Sequence, residues 1–186
     1  MGGMILISEK MITGSLLILS GVFFLPGGIL FTGRAIWKWP AGKSASYLIW
    51  ERSFVIASIL VVVVGLDLLE GLIETAGDKI LAPAGMLIFL IGAILAVFAE
   101  AYFLSKHEWL NAPIVFYVIL GFLGQMGFGF ALLQTGLLPA WIGWATVGWS
   151  LIWLVVLPVA RPRDMYFPVL YYLSPLLIGI ALLSSG

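Results

Sequence analysis

The run S-F-V-I-A-S-I-L-V-V-V-V-G-L, Ser53 to Leu66, passes directly into D-L-L-E-G-L-I-E-T-A-G-D, Asp67 to Asp78, and this stretch decides the fold class. Its first half carries no charge and is too long for a soluble core strand. About 20 apolar residues in a helix cross about 30 Å of hydrocarbon, so the stretch reads as the body of a membrane helix. The second half carries four carboxylates, Asp67, Glu70, Glu74 and Asp78, spaced i, i+3, i+7 and i+11. At about 100° per residue that spacing stacks all four on one helical face. Acids at a helix C-terminus are unfavourable, because the macrodipole is negative there. The stripe therefore calls for a cation, a protein partner, or contact with water. We expect the helix to continue about one or two turns past Leu69 with the acids in line. Asp67 and Glu70, joined by Glu74, are the candidate cation or proton site. The alternative is a solvated helix end.

Composition generalises this reading to the whole chain. Only 10% of the 186 residues are charged, against roughly 25% in soluble domains, and the mean hydropathy is +1.16. The class is all-α, a polytopic integral membrane protein. Basic and acidic residues balance to zero net charge, which argues against a nucleic-acid partner. The absence of cysteine removes disulfides, thiolate metal sites and cysteine nucleophiles. One histidine, His107, cannot supply a bis-His haem or a multi-His metal centre from this chain alone. No cofactor is predicted.

Apolar length places six helices in a single transmembrane domain, at about 11–31, 47–69, 81–104, 112–133, 139–160 and 168–183. Glu9 and Lys10 make the region before the first helix neutral, so it reads as a retained helix rather than a signal peptide. Pro26-Gly27-Gly28 should kink it or end it early, and Ser174-Pro175 should break the sixth. Alternate loops receive Arg34, Lys38, Lys43 and Arg52, then Lys106, then Arg161 and Arg163, whereas the opposite side receives only Lys10 and Lys79. The positive-inside rule then places both termini outside the cytoplasm, most simply across a prokaryotic inner or plasma membrane. Trp37, Trp39, Tyr47, Trp50, Trp109 and Tyr166 gather on the basic side as an interfacial belt. No inverted repeat relates the two halves.

Three polar positions stand out inside the apolar segments. Gly121, Gln125 and Gly129 share one face of the fourth helix, so an amide sits between glycines that let another helix approach. Gln125 reads as interhelical glue or as a ligand contact. Gly85, Gly92, Ala96 and Ala99 form a small-residue face on the third helix with Glu100 at its edge. Arg52, at the same depth on the preceding antiparallel helix, is its expected partner, as a structural pair or as part of a ligand site. Glu51 and Arg52 are adjacent, about 100° apart on the helix, and are not expected to pair with each other. His107-Glu108 falls in a loop and lacks a second histidine for a zinc motif.

The run L-L-Q-T-G-L-L-P-A-W-I-G-W, Leu132 to Trp144, has Gly136 suited to a helix C′ position and Pro139 to the start of the next helix. This hairpin resembles one in an uncharacterised family of bacterial multi-helix membrane proteins, classed as a domain of unknown function. The resemblance implies a bundle of six or seven helices and brings no activity with it.

Three function classes remain. One is binding or transport of a small or lipophilic ligand in a cavity between glycine-faced helices, with Gln125, Glu100 and Arg52 as its contacts. Another is a non-catalytic accessory or assembly subunit among other membrane subunits. The third is an intramembrane enzyme, for which no nucleophile–base pair or metal motif is present. Binding or transport leads.

Overall fold

The computed structural model describes residues 2–160 and 168–185. They form six α-helices and no strand: α1 (Gly2–Ala35), α2 (Ala45–Thr75), α3 (Leu81–Lys106), α4 (Asn111–Thr135), α5 (Ala140–Ala160) and α6 (Pro168–Ser184). One 3-10 turn, Pro40–Lys43, lies between α1 and α2. Four of the helices are long and apolar enough to cross a membrane, and Ala140–Val156 of α5 and Leu170–Ser184 of α6 are shorter apolar helices. Arg161, Arg163 and Tyr166, counted above in the charge and aromatic asymmetry, lie outside the described residues.

The helix ends follow local chemistry. Ser44 caps α2 by accepting from the Tyr47 amide at 3.3 Å. Gly136 ends α4 in the left-handed region at φ 64°, the conformation glycine adopts without a Cβ penalty. His107 closes α3 at φ 58°, so it is a helix cap rather than a free loop residue. Neither internal proline ends its helix: α1 runs through Pro26 and α6 runs through Pro175. Each proline still removes one N–H, leaving the carbonyl four residues earlier, Val22 or Tyr171, without its helical donor.

Each helix packs on the next, and α6 returns to α1, which closes a ring. Antiparallel registers are fixed where small residues meet. A Cβ on Gly85 of α3 would lie 2.8 Å from the Gly124 carbonyl of α4, and one on Gly14 of α1 would lie 2.9 Å from the Gly179 carbonyl of α6. The ring interior is filled mainly by two neighbouring tyrosines of α6. Tyr172 turns toward α1 and α2, stacking on Phe24 with centroids 4.9 Å apart and sharing a 2.7 Å hydrogen bond with Ser58. Tyr171 turns toward α3 and α4, with ring centroids 4.7 Å from Tyr117 and 5.5 Å from Phe89. Gly121 makes room for it, since any Cβ there would collide with the Tyr171 ring.

Candidate functional site

Four charged side chains from three helices join at the end of the bundle where α1 finishes and α2 begins. Arg34, in the last turn of α1, grips Glu51 with two parallel hydrogen bonds of 2.8 Å, from Nε to Oε2 and from Nη2 to Oε1. Glu51 Oε1 also receives Arg52 Nη2 at 2.9 Å. Arg52 Nη1 in turn donates to Glu100 Oε2 at 2.8 Å. The order is cation, anion, cation, anion. Bidentate guanidinium–carboxylate pairing is the strongest form such contacts take.

Burial sharpens along this chain of charges. The Arg34 side chain keeps 26% of its surface exposed, whereas Glu51, Arg52 and Glu100 keep 0%, 2% and 0%. The Arg52 guanidinium also lies over the rings of Phe103 and Trp109, 4.6 and 4.9 Å from their centroids. The aromatic faces return some of the solvation it lost. Even so, burying an ion costs several kcal/mol, and a hydrophobic set of similar volume is often as stable. Two atoms remain open. Arg52 Nε and Glu100 Oε1 are fully buried and have no hydrogen-bond partner, although buried polar groups are nearly always satisfied.

The Arg52–Glu100 pair is the one that helix depth leads one to expect. The Glu51–Arg52 pair is not, and here the sequence reading is corrected. Adjacent side chains leave a helix about 100° apart, but both of these are long. Arg34 and Glu100 draw them into the same interior, where their ends meet. Arg34 itself belongs to α1 and not to a loop, because the helix persists beyond Pro26.

Gln125 is 1% exposed and faces α6, not the outside of the bundle. Its Nε2 donates to the Tyr171 carbonyl at 2.9 Å. That carbonyl is the acceptor that Pro175 leaves vacant, so the amide replaces a missing helical bond. Trp149 of α5 donates to the preceding carbonyl, Leu170, at 2.7 Å. Two side chains from two helices thus secure α6 just before its proline. Gln125 Oε1, held in place by the Nε2 bond, is buried without a partner.

The acidic stripe fares differently. α2 does continue past Leu69, as far as Thr75, but Gly77 at φ 117° turns the chain and Asp78 leaves the line. Asp78 is buried and accepts from the Leu81 and Ala82 amides at 3.2 and 2.7 Å. It satisfies the start of α3, where a negative charge is favoured. Asp67 and Glu74 are exposed and Glu70 is half-buried. Among the described residues no three acids or histidines come together in a way that could hold a metal ion. As a metal-binding cluster, the candidate set Asp67, Glu70 and Glu74 is therefore not assembled here.

The glycine faces are also occupied. Gly85 and Gly124 meet backbone to backbone, Gly92 meets Tyr117, Gly121 meets Tyr171, and Gly129 meets Gly143 and Val147. These positions bring helices into contact and leave no gap of their own. The residues that sequence reasoning missed are Arg34, Glu51, Ser58, Trp149 and Tyr172. Comparison with protein-family models, curated proteins and solved structures finds no match to this chain, so the Leu132–Trp144 hairpin carries no family assignment.

Proposed function

We propose that this chain is an integral membrane protein that binds or transports a small or lipophilic ligand, whose polar part meets Arg52 and Glu100; Gln125, held against α6 at the level of Gly85, lies too far along the bundle to share that contact. One observation carries the reading: a fully buried ion pair near the end of the bundle that leaves one donor and one acceptor open. Ionisable groups inside a membrane are expensive, and by default they mark functional sites. A pair serving only to hold α2 to α3 is often replaceable by well-packed apolar residues at no cost in stability.

The membrane setting is supported by the exterior of the bundle. Leu60, Val64, Leu87, Ile94, Phe98 and Val155 all lie open on its outer faces. An apolar surface spread over several helices suits hydrocarbon as solvent and not water. The basic end, with Lys38, Arg34 and Lys106, is then cytoplasmic and both termini extracytoplasmic.

Native mass spectrometry of protein extracted in mild detergent tests the reading. A bound species of constant mass is expected on the wild type and should be lost from Glu100→Gln. Bare wild-type protein in several detergents and in nanodiscs, with no compound raising its melting temperature, would rule the reading out.

A further inference from the structure

Four side-chain atoms that are buried without a hydrogen-bond partner gather where α4, α5 and α6 meet: Gln125 Oε1, Ser150 Oγ, Trp153 Nε1 and Ser174 Oγ. Helix contacts give them a common depth. Gly129 of α4 lies against Gly143 and Val147 of α5. The two helices are antiparallel, so Gln125, one turn earlier, stands level with Trp149 and Ser150. On α6, the Gln125 amide reaches the Tyr171 carbonyl and the Trp149 indole reaches the Leu170 carbonyl. Ser174 follows one turn later, and helical side chains lean back toward the N-terminus. The same lean brings the Trp153 ring toward Ser150, with its centroid 5.7 Å from that of Trp149.

Direction agrees with depth. At about 100° per residue, Gln125 stands between Gly121, which faces the Tyr171 ring, and Gly129, which faces α5. Ser150 and Trp153 stand between the face of α5 that meets α4 and the face that sends Trp149 to α6. Ser174 stands about 60° beyond Tyr171, on the side away from Tyr172, which stacks on Phe24 of α1. All four therefore point into one junction.

The chemistry of the junction defines its occupant. Asn111–Ala160 and Pro168–Ser184 contain no charged residue, so an ion would meet no counter-charge. Trp153 Nε1 can only donate, Gln125 Oε1 can only accept, and each serine hydroxyl does both. Gly121 is filled by Tyr171 and Gly129 by α5, which limits the occupant to a very small molecule. Water is neutral, small, and offers two donors and two acceptors; buried waters bond to about three otherwise unpaired polar groups.

We infer that the α4–α5–α6 junction is a hydration site in the middle of the membrane, where one or two bound waters join Gln125, Ser150, Trp153 and Ser174. Gln125 and Ser150 lie midway along their helices, which sets the depth. The water completes what Gln125 and Trp149 begin, tying the start of α6 to α4 and α5 beside Pro175. This site does not depend on a ligand at Arg52 and Glu100, which lie nearer the end of the bundle.

X-ray footprinting of the full chain in nanodiscs tests the site, because bound water releases hydroxyl radicals in place and oxidises the side chains beside it. Relative to intrinsic reactivity, Trp153 should be oxidised several-fold faster than Phe89, buried between α3 and α4, and Ile152, exposed on the outer face of α5. Ser150→Val, which replaces the hydroxyl with methyl groups, should cut labelling of Trp153 several-fold and leave Phe89 unchanged. Equal labelling of Trp153 and the two controls, or no change in the variant, overturns the proposal. A crystal structure from a lipidic mesophase, with waters resolved, needs no variant and decides if Ser150→Val does not fold. A water within about 3.2 Å of at least two of the four atoms, from different helices, is expected. Direct bonds from these atoms to protein, a dry junction, or density for a larger molecule would overturn the hydration site.

Discussion

The two ends of α2 carry the same kind of side chain and treat it in opposite ways. Near its start, Glu51 is sealed between Arg34 and Arg52 with every carboxylate oxygen bonded. Near its end, Asp67 and Glu74 stand open and Glu70 is half-covered, with no cation bonded to any of them among the described residues. Helical periodicity is equally regular at both ends, so periodicity does not decide the outcome. What differs is the neighbour. α1 and α3 bring a guanidinium and a carboxylate into contact with the first end, whereas Glu9 and Lys10 of α1, at the level of the second end, form no ion pair with its acids among the described residues. An acidic residue becomes part of a site when other helices converge on it, and remains a solvated helix end when they do not.

The contrast can be broken most sharply at Arg52. Arg52→Met removes the central cation and leaves Glu100 buried without a partner. The expected cost is about 3–5 kcal/mol in equilibrium unfolding from mixed micelles. A loss below about 1 kcal/mol, the range of an exposed pair, would place this end of α2 in the same class as the other.

Gln125→Leu tests whether a neutral buried group behaves like the charged ones. It strands the Tyr171 carbonyl beside Pro175 and should cost about 1–2 kcal/mol, with faster amide exchange in the first half of α6 than in α3. Unchanged exchange in α6 would mean that the amide does not hold the turn before the proline.

At the open end of α2 the expected effects are smaller and of opposite sign. A Cβ on Gly71 would meet nothing within 4 Å. Gly71→Ala should therefore stabilise by about 0.5–1 kcal/mol through the unfolded chain. Destabilisation there would reveal a neighbour pressed against this face. Smallest of all is the double change Asp67→Asn with Glu70→Gln. Relief of like-charge repulsion at i, i+3 is worth a few tenths of a kcal/mol, and calcium should not move the melting temperature before or after it. A calcium-dependent rise that the double change erases would restore the cation site.

The all-helical architecture and the count of six helices were legible because apolar length and helix caps are local signals. Gly136 at the end of α4 shows this directly, since glycine there predicts the left-handed turn that the structure contains. The Arg52–Glu100 pair was legible for a simple geometric reason: two consecutive antiparallel helices bring equal depths together. Arg34 was not. Its pairing requires α1 to persist beyond Pro26, and a proline reads locally as a stop. Asp78 was misplaced because a spacing of eleven was projected through a helix that had already ended. The signal was present, since Ala76-Gly77-Asp78 combines a glycine turn with a capping acid ahead of the next helix. For Gln125, Pro175 predicts from sequence that the Tyr171 carbonyl needs a new donor. Which side chain supplies it depends on how α4 and α6 meet, and that is a property of the packed ring.

Whether the four charges act as one unit is tested most directly by a double-mutant cycle on Arg52 and Glu100, measured by equilibrium unfolding. Arg52→Met and Glu100→Leu should each be severely destabilising, while the double replacement should recover most of the loss, because it leaves no buried charge on that side of the network without a partner. Additive losses, with the double variant as unstable as the sum of the two singles, would contradict the account.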